Sequence, residues 1–169
     1  MKKSLRRLPE CLVSIVFAVL LASTLIARPY VAGTSMEPQF SDGQQIVVER
    51  VTPRLPWLRP LRREDIIVFQ QNGHLAVKRI VAVGGDDITV RDEVLSVNGV
   101  GVATYTDPSL GPEWGATLQP NTFYVLGDNQ EDSLDSKEYG IVRLDEVDGR
   151  VVLTSSQHRA RPALQINSR

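Results

Sequence analysis

The hydrophobic pattern divides the chain into two unlike parts. Residues 11–27 carry no formal charge and are rich in Leu, Val, Ile and Ala. A helix of that length rises about 25 Å, a little short of the ~30 Å hydrocarbon layer of a bilayer, so flanking residues must complete a crossing. From Pro29 onward the apolar stretches are short and broken by Gly, Asn, Asp and Pro, which predicts strands. Expected strands are 45–49, 65–70, 74–83, 88–91, 94–97, 123–126 and 150–153. Gln71-Asn72-Gly73 reads as a hairpin turn, Asn-Gly being the strongest short-range signal for one. A second hairpin joins 88–91 to 94–97, closed by Asn98-Gly99, and Gly84-Gly85 marks a tight turn. Residues 100–120, with Pro108, Gly111, Pro112, Gly115 and Pro120, read as a loop, as do 52–63. Helical periodicity is absent beyond the first apolar run, and no repeat is visible. The pattern predicts a mainly β protein, in which a single N-terminal transmembrane helix precedes an all-β domain of antiparallel sheets. The expected division is a basic segment at 1–10, an anchor helix at 11–28 and a β-rich body at 29–169.

Charge orients this plan. Lys2, Lys3, Arg6 and Arg7 precede the apolar run against Glu10, leaving 15 basic and 19 acidic residues for the remainder. Basic residues on the leading side predict a cytoplasmic N-terminus and an extracytoplasmic body, hence a single-pass protein of the plasma (inner) membrane. A cleaved secretory signal shares the basic-then-apolar plan, but Leu25-Ile26-Ala27 puts a large residue where such a cleavage site needs a small one. The mildly acidic body argues against nucleic acid as a partner. With the single Cys11 and two distant histidines, neither an internal disulfide nor metal-ligand spacing is available, so no cofactor or metal is expected. The 52–63 stretch carries Arg54, Arg59, Arg62 and Arg63 without an acid, interleaved with Leu55, Trp57, Leu58 and Leu61. Such a loop fits either contact with anionic headgroups, making the bilayer a partner of both anchor and loop, or an ordinary exposed loop with a locally packed Trp.

The candidate chemistry is a serine and a lysine. Ser35 lies just beyond the apolar run, and Lys78 follows 43 residues later within Leu75-Ala76-Val77-Lys78-Arg79-Ile80-Val81. Serine attack on a peptide needs a base, and a lysine serves if it is neutral when it acts. Burial disfavours the ammonium and supplies that condition. On these residues alone, Lys78 could equally point outward from an edge strand and Ser35 could simply terminate a loop. A Ser/His arrangement has less support, because His74 follows the Asn72-Gly73 turn and His158 sits in a polar stretch among arginines.

Taken together and in order, the segments Gly33-Thr34-Ser35-Met36-Glu37-Pro38, Arg63-Glu64-Asp65-Ile66-Ile67-Val68-Phe69, Val77-Lys78-Arg79-Ile80-Val81, Gly127-Asp128-Asn129 and Ser133-Leu134-Asp135-Ser136-Lys137-Glu138-Tyr139-Gly140 resemble the type I signal peptidases. The resemblance runs from about Gly33 to Val142. It implies a membrane-tethered Ser/Lys endopeptidase that removes signal peptides from exported preproteins after small residues. Ser35 then matches the nucleophile, Lys78 the general base, and Ser133 a serine whose hydroxyl orients the lysine amine. Asp135 matches a structural acid held by a salt bridge, while Asp128 and Asn129 are architectural. The Ser35 backbone N–H would be one oxyanion donor. A substrate added as a strand beside Ser35 and Lys78 would meet Val31, Phe40 and Val77 as walls of shallow apolar pockets. The sequence departs from the family pattern at Gly33, often a serine that supplies a second oxyanion donor, and at Gln39, Gly84 and Lys137. Lys137 stands for an arginine and forfeits its bidentate pairing.

Other readings differ in chemistry or substrate. A self-cleaving repressor-type Ser/Lys protease would need a reachable cleavage bond, and Ala32-Gly33 is too near Ser35 to be one. An anchored β module that binds signal peptides without cutting them, and a Ser/Lys peptidase specialised for conjugation or pilus substrates, both remain compatible with the residues.

Overall fold

The computed structural model describes residues 12–14, 16, 24–104 and 113–152. Their strands are β1 (Ile26–Ala27), β2 (Val47–Glu49), β3 (Ile66–Gln71), β4 (His74–Val83), β5 (Asp87–Arg91), β6 (Val94–Val97), β7 (Val100–Thr104), β8 (Glu113–Thr117), β9 (Thr122–Leu126), β10 (Val142–Arg143) and β11 (Val147–Val152). The larger sheet runs β1-β2-β11-β3-β4-β9-β10 and the smaller β7-β6-β5-β8. Every pairing is antiparallel. The fold is therefore mainly β, as the pattern predicts.

β3 shows why the sequence reads as it does. Ile66 and Val68 pack with Val48, Val151, Met36 and Phe40 on one face. Ile67 and Phe69 join Ile80, Phe123 and Val125 on the other. A strand covered on both faces gains by being apolar at every position, which removes the usual alternation. A third cluster docks the small sheet: Ile88, Val90, Leu95 and Val97 pack against Val81, Ala82, Tyr124 and Leu126. β4 and β9, which carry or adjoin the candidate residues, thus lie against two clusters at once. A buried ion pair, Arg150 to Glu49 at 2.9 Å, ties β11 to β2.

Several expectations need correction. The apolar helix was expected through residue 28, but Ile26 and Ala27 form β1, paired with Glu49 and Val48, and Arg50 N–H donates to Leu25 O at 2.8 Å. Ladder hydrogen bonds to β2 end the helix there. Residues 12–14, 16, 24 and 25 are helical, the rest of 11–23 lies outside the described residues, and among the described residues no helix is long and apolar enough to cross a membrane. The 100–120 loop is in part sheet: β7 and β8 form the two edges of the small sheet, partners of β6 and β5. Gly101 and Gly115 disguise them, because edge pairing is decided by the partner strand rather than by local propensity. Residues 105–112 lie outside the described set. The turn of the β5–β6 hairpin is Asp92-Glu93, with φ of 48° and 61°, and Asn98-Gly99 instead joins β6 to β7. Asn72-Gly73 makes the β3–β4 turn as expected, both residues having positive φ. The last strand starts at Val147 rather than 150, through a bulge at Val147/Gly149 that the Asp148-Gly149 pair conceals. Leu153 falls outside the described residues. Trp57 is 75% exposed and not locally packed.

At Gly149 β11 passes close against β2. A Cβ there would stand 2.5 Å from Val48 Cγ1 and 2.6 Å from the Glu49 carbonyl oxygen. Backbone cannot retreat cheaply from such overlap, so Gly149→Ala is expected to destabilise the protein by about 1–3 kcal/mol, read as a lower urea midpoint with an unchanged slope.

Candidate active site

The loop that presents Ser35 is held from below by its own apolar residues. Val31, Met36 and Phe40 are buried in the β2–β3 cluster, so the half-buried Ser35 rides on an anchored turn. Glu37 N–H donates to Thr34 O at 3.0 Å, Phe40 N–H to Met36 O at 2.9 Å, and Gly33 N–H to Asp42 Oδ1 at 2.7 Å. Gly33 has φ of +89°, a left-handed conformation that favours glycine.

From above, the loop after β9 clasps the same turn. Asn129 N–H donates to the Ser35 carbonyl at 3.0 Å, and its side-chain amide to the Thr34 carbonyl at 3.3 Å. The Thr34 hydroxyl donates to the Asp132 carboxylate. Gly127 lets the two segments meet: a Cβ there would fall 2.2 Å from Ser133 Oγ and 2.6 Å from the Ser35 carbonyl oxygen.

Lys78 enters from β4, opposite Ile67 in the ladder. It is only 5% exposed, and its Nζ lies 2.6 Å from Ser35 Oγ. Burial pushes its pKa below the ordinary lysine value, while Asp135, then Asp128, Glu138 and Asp132, pull it back up. Arg79, the next residue, takes Asp128 in a two-pronged pair at 2.7 Å and 2.7 Å, which commits that carboxylate elsewhere.

Asp135 is fully buried. It accepts from Gly127 N–H at 3.0 Å, Ser133 Oγ–H at 2.8 Å and Lys137 N–H at 3.2 Å. Its own N–H donates to Glu138 Oε2 at 2.8 Å, completing a capping box on the one-turn helix Ser136–Tyr139. Hydrogen bonds hold this carboxylate, and the Lys137 ammonium donates to Gln130 Oε1 at 3.1 Å. The Ser133 hydroxyl donates to Asp135, and Lys78 Nζ bonds to Ser35 Oγ.

A cleft of about 770 Å³ opens beside the pair, with Ala32, Thr34, Ser133, Leu134 and Thr104 in its walls. Ser35, Lys78, Ser133, Asp135, Asp128 and Asn129 are thus brought into one neighbourhood. Val31 and Phe40 are core residues beneath it, and Val77 is the half-buried member packed on their cluster. His74 is exposed. Among the described residues no three His, Cys, Asp or Glu side chains could hold a metal ion. Sequence reasoning missed Thr34, Asp132 and Arg79 as parts of the site. The first two meet across 98 residues, a contact that no local pattern announces.

A hydroxyl touching a buried amine at a cleft equips the fold for nucleophilic attack with a lysine base, as in a serine hydrolase. The signal peptidase family, peptidase S26, matches residues 5–155. Signal peptidase I of Bacillus caldolyticus is 33% identical over 138 residues, 72% of this chain and 74% of that protein. Signal peptidase I V of Bacillus subtilis (strain 168) is 29% identical over 148 residues, 78% of this chain and 86% of the other. A signal peptidase I of known structure from Enterococcus faecalis is 28% identical and covers 56% of this chain and 97% of its own, with a TM-score of 0.43, too low to bear on the fold. The chain belongs to the signal peptidase (peptidase S26) family and is a serine endopeptidase.

Because Gly127 sets the spacing between Ser133 and the Ser35 carbonyl, Gly127→Ala is expected to displace the Ser35 turn and lower peptide cleavage about 100-fold. Asn129→Ala, which keeps the backbone bond to Ser35, is expected to lose much less. Steady-state kinetics on one peptide substrate compares them.

Proposed function

We propose that this chain removes signal peptides from exported preproteins with Ser35 as nucleophile and Lys78 as general base. The observation that carries the reading is the 2.6 Å contact between Lys78 Nζ and Ser35 Oγ, with Lys78 buried. As an ammonium, Lys78 donates to the hydroxyl. Once neutral, the amine accepts instead, and Oγ–H points at Nζ. Oγ attacks the scissile carbonyl carbon as its proton passes to Nζ, and the Ser35 N–H faces the developing oxyanion. Collapse breaks the C–N bond, Nζ returns the proton to the leaving amine, and the acyl group stays on Oγ. Water deprotonated by Nζ then releases it. Asp135 and Ser133 act by positioning, since their bonds fix the loop that clasps Ser35.

The chain cleaves after small residues, of the Ala-x-Ala kind, with the half-buried Val77, packed on the cluster of Val31 and Phe40, as a pocket wall beside Lys78. The basic N-terminal residues and the apolar run support residues 11–28 as a retained anchor, its helix ending by Leu25. That makes the chain a single-pass plasma-membrane protein with a cytoplasmic N-terminus and the peptidase domain of 29–169 outside.

Ser35→Ala and Lys78→Ala are each expected to reduce cleavage of a preprotein in detergent by more than about 1000-fold. Full activity in both would end the proposal, and a wild type that binds signal peptides without cutting them would favour a binding module. The rate should rise with pH as Lys78 loses its proton, through an apparent pKa below the ordinary lysine value. Asp132→Asn keeps an acceptor for Thr34 but removes a charge that favours the ammonium, so this limb is expected to move to lower pH. Stability carries the same signature. A lysine whose folded pKa is depressed weighs on the fold most below that pKa, and the burden fades as pH rises toward the unfolded value. Lys78→Met is therefore expected to be more stable than wild type at neutral pH, with a gap that closes as pH rises toward the lysine range, as urea titration would read.

A further inference from the structure

Residues 51–62 form a rigid, basic, apolar-tipped loop that the peptidase chemistry does not use. Both ends are pinned. Thr52 is buried and bonded to Glu49 through its hydroxyl and its N–H, and Leu61 is buried in the core. Between them Pro53, Pro56 and Pro60 stiffen the backbone, and turns close through Leu55 N–H to Val51 O at 2.9 Å and Leu58 N–H to Leu55 O at 3.0 Å. At the tip Trp57 is 75% and Leu58 68% exposed. A pinned loop that holds two large apolar side chains in water has a use for them.

Charge and position say what covers them. Arg54, Arg59 and Arg62 are exposed and, among the described residues, none pairs with a carboxylate, whereas Arg50 pairs with Asp148 and Arg63 with Asp86. No acid occurs between Thr52 and Arg63; acids resume at Glu64. The loop leaves the sheet where the apolar run enters it, since Arg50 N–H bonds Leu25 O. From there the two segments run paired through Ile26–Glu49, Ala27–Val48 and Tyr30–Gln45. Ser35 lies beyond the far end of that ladder, whose span from Leu25 to Val31 is roughly 20 Å.

We propose that this loop is a second membrane contact: Trp57 and Leu58 seat at the headgroup boundary of an anionic bilayer while Arg54, Arg59 and Arg62 meet lipid phosphates. This rests on the reading of residues 11–28 as an anchor, because the bilayer surface lies beside Leu25 only if the apolar run enters it. The contact adds a second point to the anchor and so fixes the tilt of the body relative to the bilayer, which a single point of attachment cannot do.

Trp57 and Trp114 are the only tryptophans, so a full-length Trp114→Phe protein reports on Trp57 alone. In vesicles containing phosphatidylglycerol and lipids brominated near the headgroup, Trp57 fluorescence is expected to be quenched by bromine and shielded from iodide. Arg54→Glu with Arg59→Glu should lose at least about half of the bromine quenching, as should high salt. The same variants should cleave a preprotein in detergent at the wild-type rate, because neither Arg54 nor Arg59 lines the cleft beside Ser35. A protein that floats with the vesicles while Trp57 stays open to iodide overturns the loop contact and leaves the anchor standing. A protein that does not float overturns both, and a loss of cleavage on Ser35→Ala with quenching unchanged separates the chemistry from either.

Discussion

Everything particular about this fold converges on one contact: an amine that the protein has taken out of water, set against a hydroxyl that it holds still. Each half is costly. A buried ammonium loses its hydration, and a serine fixed in one position loses conformational freedom. The structure meets the first by placing Lys78 on β4, between the large sheet and the loop after β9, where burial depresses its pKa and the acids Asp135, Asp128, Glu138 and Asp132 moderate the effect. It meets the second by gripping the Ser35 turn from two sides, with Met36 and Phe40 sunk in the core and Asn129 bonded from above.

Seen this way, the acids near the site divide by task. Asp128 is committed to Arg79, Asp135 to backbone N–H groups and Ser133, and Asp132 to Thr34. Each carboxylate has a partner other than Lys78, so their field reaches the amine without a direct ion pair that would lock it protonated. That arrangement tempers the amine's pKa without pairing it, a balance that the proposed general-base role near neutral pH requires.

The sequence revealed the parts whose causes are local. Asn72-Gly73 announces the β3–β4 turn, the unbroken Ile66-Ile67-Val68-Phe69 run announces a strand covered on both faces, and the ordered segments around Ser35, Lys78 and Gly127–Gly140 point to the family. It concealed the parts whose causes lie elsewhere in the chain. β7 and β8 look like loop because Gly101, Gly115 and nearby prolines depress propensity, yet partner strands recruit them to the sheet edges. The apolar run gives no sign that Ile26 and Ala27 leave the helix, because an apolar residue suits either state and β2 decides. The contact of Thr34 with Asp132 depends on how two distant loops meet. Val31 and Phe40 were sensible choices for a pocket wall, since apolar residues flanking a nucleophile can face either way; here they face the core.

The most direct test reads the amine itself. The chain has four lysines, Lys2, Lys3, Lys78 and Lys137, so NMR of protein labelled with carbon-13 at lysine Cε gives four resonances, and Lys78→Met identifies the one that matters. The Lys78 signal is expected to titrate below the ordinary lysine range, and Ser35→Ala to alter its titration. A Lys78 that titrates in the ordinary lysine range would contradict the lysine-base reading.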